Sequence, residues 1–144
     1  MIEIRKPKTE KEWDNYYDLR YRILRQPWNQ PRGSERNDGD AAGQHFAFWE
    51  NNEIVAIARL DKTDLPNECQ VRFVAVETNQ QGKGLGKKLM LTVEKKAKEQ
   101  GFQRVLLHAR ENALEFYRSL GYEQVEKSQL LFDTIQHYLM KKSL

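Results

Sequence analysis

The chain has 144 residues, enough for one domain that buries roughly two-thirds of the surface its unfolded form exposes. Apolar residues make up 39% and charged residues 31%, which excludes disorder on grounds of composition. The net charge of +3, from 24 basic and 21 acidic side chains, suits an anionic small molecule and falls short of the basic excess of a nucleic-acid binder.

Strand-like and helix-like patterns alternate along the chain. IEIRKP (2–7) reads as a short strand ended by Pro7. Thr9 and Glu12 then have the spacing of a capping box, and Trp13, Tyr17, Tyr21 and Leu24 recur at helical spacing, so a helix is expected over 9–25. Residues 26–44, QPWNQPRGSERNDGDAAGQ, read as one long polar loop, either a binding lid or a plain connection. Trp28 within it is a contact residue or an anchor. HFAFWEN (45–51) and EIVAIARLDKT (53–63) form a hairpin pattern around Asn51–Asn52–Glu53. CQVRFVAVE (69–77) is apolar on both faces toward its end, which places it centrally in a sheet. A helix over 84–100 follows, with Leu85, Leu89, Val93 and Ala97 inward, lysines outward and Gly101 as the terminating residue. RVLLHAR (104–110) is a strand, NALEFYRSLG (112–121) a short helix, and YEQVEKSQLLF and IQHYLMKK two closing strands. This order predicts a single mixed α/β domain over 1–144.

No apolar run approaches the roughly 20 residues of a membrane helix, and the N-terminal MIEIRKPKTEKEW lacks the apolar centre of a signal peptide. Cys69 is the only cysteine, which excludes a disulfide framework and a thiolate metal site. A cytoplasmic location without a membrane partner, and no metal, are the expectations.

The stretch QQGKGLGKK (80–88) stands at the junction of the central strand and the long helix. A helix N-terminus leaves amides without partners and carries partial positive charge, so an anion binds there if the backbone can come close. Gly82, Gly84 and Gly86 leave that backbone bare, and Lys83, Lys87 and Lys88 add charge. The alternative is a flexible turn on a lysine-rich surface. The spacing fits neither a P-loop nor the dinucleotide fingerprint.

It fits [QR]-x-x-G-x-[GA] at Gln81, Gly84 and Gly86. This resembles the pyrophosphate loop of the GNAT superfamily of N-acetyltransferases. NALEFYRSLGYE, about 30 residues on, is similar to a second GNAT segment, with a shorter Asn–Ala spacing. HYLM and GSERNDGD resemble the ElaA-like subgroup. The resemblance implies a single GNAT domain, with a mixed, mostly antiparallel sheet of six to seven strands flanked by helices. It further implies acetyl-CoA as co-substrate and a small-molecule or peptide amine as acceptor. Transfer would be direct, in a ternary complex, and a homodimer is common in such proteins. By the same resemblance the coenzyme would lie along Phe73, Val74 and Val76, with its phosphates on Gln81, Gly82, Lys83, Gly84, Leu85, Gly86 and Lys87, and with Asn112 nearby. A backbone amide near Val74 would polarise the thioester carbonyl.

Tyr117 takes the position of the family's proton donor to the departing thiolate, and a phenol is protonated at neutral pH. Its other reading is packing beside Phe116. Asn112 is either a coenzyme contact or, with Glu115, a helix cap. His45, His108 and His137 are of the residue type whose ordinary range lies near neutrality, and His108, just ahead of the Tyr117 helix, is the candidate base. Glu35, Asp38 and Asp40 are either amine-recognising acids or an ordinary solvated loop. Arg72, if it faces the site, argues for a water relay or for an acidic group on the substrate. Cys69 reads as a small buried residue. Two other classes stand beside the enzyme: a non-catalytic coenzyme A module, and a nucleic-acid binder built on the surface lysines.

Overall fold

The computed structural model describes residues 1–144 as a seven-stranded sheet with three α-helices. The strands are β1 (Glu3–Ile4), β2 (Gln44–Glu50), β3 (Glu53–Lys62), β4 (Glu68–Val76), β5 (Arg104–Arg110), β6 (Glu123–Leu131) and β7 (Ile135–Ser143). The helices are α1 (Glu10–Leu24), α2 (Leu85–Glu99) and α3 (Leu114–Ser119). Across the sheet the order is β1-β2-β3-β4-β5-β7-β6. Only β4 and β5 run parallel, because the α2 crossover joins them. This is the α+β domain expected, with β4 at its centre. No helix is long and apolar enough to cross a membrane.

Local signals account for most element ends. Thr9 caps α1 and Glu12 closes the capping box from the third position. The β2–β3 hairpin turns on Asn51 and Asn52, both at positive φ (51° and 65°), which asparagine tolerates better than most residues. Gly101 (φ 92°) ends α2 in the left-handed region. The first strand is shorter than expected, since β1 pairs with β2 only at Glu3 and Ile4. The 26–44 segment is less irregular than its composition suggests. It holds two 3-10 turns, Gln26–Trp28 and Asp38–Asp40, the second capped by Asn37.

Both faces of the sheet are covered. Tyr16, Leu19 and Leu24 of α1 pack on Ala47, Trp49, Ile57 and Ala75. Leu89, Met90, Val93 and Ala97 of α2, with Tyr117 of α3, pack on the other face against Ala56, Ala58, Leu60, Val71 and Leu107. Burial of each such aliphatic side chain stabilises the fold by about 1.5–3 kcal/mol.

One detail of β4 positions the site. Val71 packs toward α2 and Ala75 toward α1, although residues four apart on a regular strand share a face. The β3 register explains it: Arg59 opposes Arg72 while Ile57 opposes Ala75, so Ala58 meets both Phe73 and Val74. This is a β-bulge, and Phe73 sits in it at φ 56°. Such a backbone costs an aromatic residue about 1–3 kcal/mol.

Candidate functional site

The central sheet opens where β4 meets β5. Their ladder consists of Glu68–Arg104, Cys69–Val105 and Gln70–Leu106. Beyond it β4 runs on to Val76 and β5 to Arg110 without pairing to each other. The β4 edge carrying Phe73, Val74 and Val76 is therefore left without a strand partner on that side, and an extended ligand arm can hydrogen-bond along it.

At the C-terminal end of that edge lies the glycine stretch. The Gln81 side-chain amide donates to Val76 O at 3.0 Å and fastens the loop to the strand. Gly84 is the N-cap of α2 at φ 82°, where a Cβ would be strained. Around Gly82 and Gly84 the space is open, whereas a Cβ on Gly86 would stand 3.3 Å from Phe116 Cζ. So the glycines at 82 and 84 serve the left-handed turn, and Gly86 serves the packing of α2 on α3. The first helical bond of α2 runs from Lys88 N to Gly84 O, and no backbone amide from Gly82 to Lys87 donates to a backbone acceptor in the chain. No side chain caps the helix and no acid stands in its first turn. A shallow depression of about 350 Å³ alongside is lined by Gly84, Lys87, Lys88, Leu91, Thr92 and Lys95. Free amides, a helix dipole and the nearby lysines give the chemistry of an anion site, such as one for a phosphate.

Tyr117 lies in the core on the α2–α3 face, near enough to Arg110 at the end of β5 to feel its charge. It is 8% exposed and packs edge-on against Phe116 and Tyr122, with centroids 5.0 Å and 5.7 Å away. Burial pushes its phenol up to about 12, against a smaller opposing pull from Arg110. The hydroxyl is protonated throughout the neutral range and is competent as an acid.

The three histidines separate clearly. His45 Nε2 lies 2.9 Å from Asp40 O, so that nitrogen carries the hydrogen, and Nδ1 accepts from the Tyr16 hydroxyl at 2.8 Å. His137 Nδ1 is 3.0 Å from Ile135 O. His108 alone has a buried Nδ1 without a partner. Burial, then His137 and Arg72, hold its pKa below the ordinary 6.5. It is a neutral imidazole at physiological pH, on the face of β5 opposite Leu107 and Ala109.

Other candidates are otherwise engaged. Asp40 accepts from Arg20 and Arg59, both at 2.8 Å, and these arginines are fully buried. Glu35 is buried and accepts from the Gly33 amide and from Arg36. Asp38 is exposed in its 3-10 turn. Only that last acid fits the reading of a solvated acidic loop; the other two brace the fold. The cap expected from Asn112 and Glu115 does not form. The N-cap of α3 is Ala113 without a side-chain bond, because a 3-10 turn over Glu111–Ala113 delays the helix, and Glu115 pairs with Arg118 instead. Asn112 is thereby left exposed. Cys69 is fully buried, and burial, with a contribution from Glu68, pushes its thiol up to about 11.

Two side chains absent from the sequence reading also face the gap. Arg25 ends α1, and its guanidinium lies 5.7 Å from the Phe73 ring and 5.3 Å from Phe132. Arg110 ends β5 and stacks over Trp28 at 4.5 Å, which makes Trp28 the anchor of its loop. Strand alternation carried a signal for Arg110, since it shares a face with His108. A concavity of about 880 Å³ lies elsewhere, among Trp13, Tyr17, His45 and the C-terminal half of α2. It includes no residue of β4, β5 or α3. No cluster of His, Cys, Asp or Glu has the makings of a metal site.

Residues 13–122 match the model of the acetyltransferase (GNAT) family. A Bacillus subtilis (strain 168) protein named as an acetyltransferase is 24% identical over 144 residues, covering 98% of this chain and 96% of its own. Escherichia coli ElaA superposes with a TM-score of 0.82 at 24% identity over 99% of both chains. The PaiA N-acetyltransferase of Thermoplasma acidophilum, solved in complex with coenzyme A, superposes at 0.76 and 13% identity, covering 100% of this chain and 99% of that one.

Proposed function

Because this chain belongs to the acetyltransferase (GNAT) family, an enzyme family that uses acetyl-CoA, we propose that it moves the acetyl group directly to a primary amine held with the coenzyme in the β4–β5 gap. The observation that carries the placement is the run of unpartnered amides from Gly82 to Lys87, at the end of the open edge of β4. These amides and Lys83, Lys87 and Lys88 would hold the diphosphate. The β4 edge from Phe73 to Val76 would hold the pantetheine arm, with exposed Asn112 at its side.

The bound thioester supplies an activated acyl carbon. Three tasks remain for the protein. The bulge turns the backbone around Val74 out of regular pairing with β3, which suits its amide to polarise the thioester carbonyl. A lysine-type amine has a pKa near ~10.4 and must lose a proton to attack, and His108, neutral and without a hydrogen-bond partner at Nδ1, would take it directly or through water. Tyr117 gives its proton to the departing sulfur. Cys69 supports direct transfer, since a fully buried thiol with its pKa raised to about 11 offers no acyl carrier.

Thermal melting with coenzyme A and acetyl-CoA tests the placement. A ligand at 100 times its Kd stabilises a protein by about 2.7 kcal/mol, or about 5–10 °C for a chain of this size. Substituting Gly84→Val removes most of that shift if the loop is the binding site and leaves it intact if the coenzyme docks elsewhere. Tyr117→Phe lowers kcat by about 100-fold or more while sparing that shift, if the phenol is the acid.

A further inference from the structure

Of the eleven arginines, eight pair with a carboxylate. The three that do not are Arg25, Arg72 and Arg110, and all three converge on the mouth of the β4–β5 gap. They come from the end of α1, the residue before the β4 bulge and the last residue of β5. Arg25 spends Nε on Ser34 O at 3.0 Å and Nη1 on Leu24 O at 2.9 Å. No hydrogen bond engages the other two guanidiniums, although each has five N–H groups to donate.

An ordinary solvated basic surface does not look like this. All three side chains are half-buried. Each is held by an aromatic ring: Arg110 by Trp28 at 4.5 Å, Arg72 by Phe73 at 5.1 Å, and Arg25 by Phe132 at 5.3 Å. Burial first, and then the neighbouring guanidiniums, lower the pKa of each below that of a free arginine. The nearby acids offset the repulsion only in part, and none pairs with these three: Asp40 and Asp61 are bound by Arg59, and Glu35 by Arg36 and the Gly33 amide. Three like charges drawn together without a counter-ion destabilise the fold, and a bound anion reverses that cost.

We propose that the amine acceptor carries an oxyanion, a carboxylate or a phosphate, and that Arg25, Arg72 and Arg110 bind it at the mouth of the β4–β5 gap. The inference rests on the gap being the site of acetyl transfer. It narrows the acceptor to amino acids, peptides with a carboxylate near the amine, or aminoalkyl phosphates. It also disfavours polyamines and other polycations, which meet the cluster as like charges.

The test uses acceptors matched in their amine: amino acids against their carboxamides, and O-phosphoethanolamine against ethanolamine and spermidine. The readouts are acetyl-CoA thiol release and thermal melting of the coenzyme-saturated protein. We expect kcat/KM for the anionic member to exceed its neutral partner by about 30-fold or more. Arg72→Gln and Arg110→Gln should erase that ratio mainly through KM, and Arg72→Lys should restore part of it. A carboxylate preference and a phosphate preference each support the proposal and identify the group. Equal or better use of neutral amines or spermidine overturns it, as does the failure of every anionic amine to raise the melting temperature. If coenzyme A binds in either of those cases, the coenzyme site stands and only the anionic acceptor falls. If coenzyme A does not bind, the site itself is wrong and the inference falls with it.

Discussion

Tyr117 shows how burial sets chemistry at a single residue. A free phenol begins to ionise near pH ~10, whereas this one is pushed up to about 12 because its anion would have no water around it. The acid form therefore survives well above neutrality, and kcat should show no alkaline fall between about pH 8 and 10 that belongs to this group. A fall in that window, abolished by Tyr117→Phe, would show an ordinary, solvated phenol. His108 carries the opposite sign. Its pKa lies below 6.5, so the neutral form persists into mildly acid solution. The acid limb of kcat/KM should lie below the ordinary histidine range and disappear in His108→Gln. An unchanged profile in that variant would hand the base role to water or to another group. From residue types alone the histidines looked alike. The hydrogen bonds of His45 and His137 single out His108, and the His45 pair is legible only in the folded chain, since its partner Tyr16 comes from α1.

At the level of elements, the 26–44 segment and the glycine turn behave differently. The segment is nailed down by Asp40, whose carboxylate binds two guanidiniums of almost zero exposure. Burial by itself would raise its pKa, but the Asn37 amide, Arg20 and Arg59 outweigh that and hold it below 3.8. A depressed carboxylate contributes stability that is present above its unfolded pKa and is lost as pH falls through the folded one. Asp40→Asn leaves two buried cations short of a partner and should cost about 3–5 kcal/mol, read by denaturant melts. A cost under about 1 kcal/mol would mean the network is a surface ornament. The glycine turn carries little packing, since a Cβ at Gly84 meets nothing within 4 Å. Gly84→Ala should therefore cost only about 1 kcal/mol of stability, from its φ of 82°, while weakening coenzyme A binding by more. Equal losses in both would make the turn purely structural.

On the scale of the whole molecule, three tyrosines make the fold sensitive to alkali. Tyr16, Tyr117 and Tyr122 are all buried, and burial raises each phenol above the ordinary value of 10.0. The folded chain then holds more protons than the unfolded one above about pH 10, so stability should fall as pH rises past that point. Replacing Tyr122, whose hydroxyl donates to buried Glu94 at 2.7 Å, with Phe should shift the alkaline midpoint upward. No shift would place the lesion elsewhere. The sequence by itself determined the elements, because period, caps and turn residues act within a few positions: Thr9 with Glu12, Asn51 with Asn52, and Gly84 ahead of an amphipathic helix. It also located the unpartnered amides proposed to bind an anion, which need only a helix start and bare backbone. Tertiary structure alone decided the β4 bulge, the short β4–β5 ladder, and which charges remain unpaired. Those depend on strands and side chains that lie far apart along the chain and meet only when the sheet closes around its core.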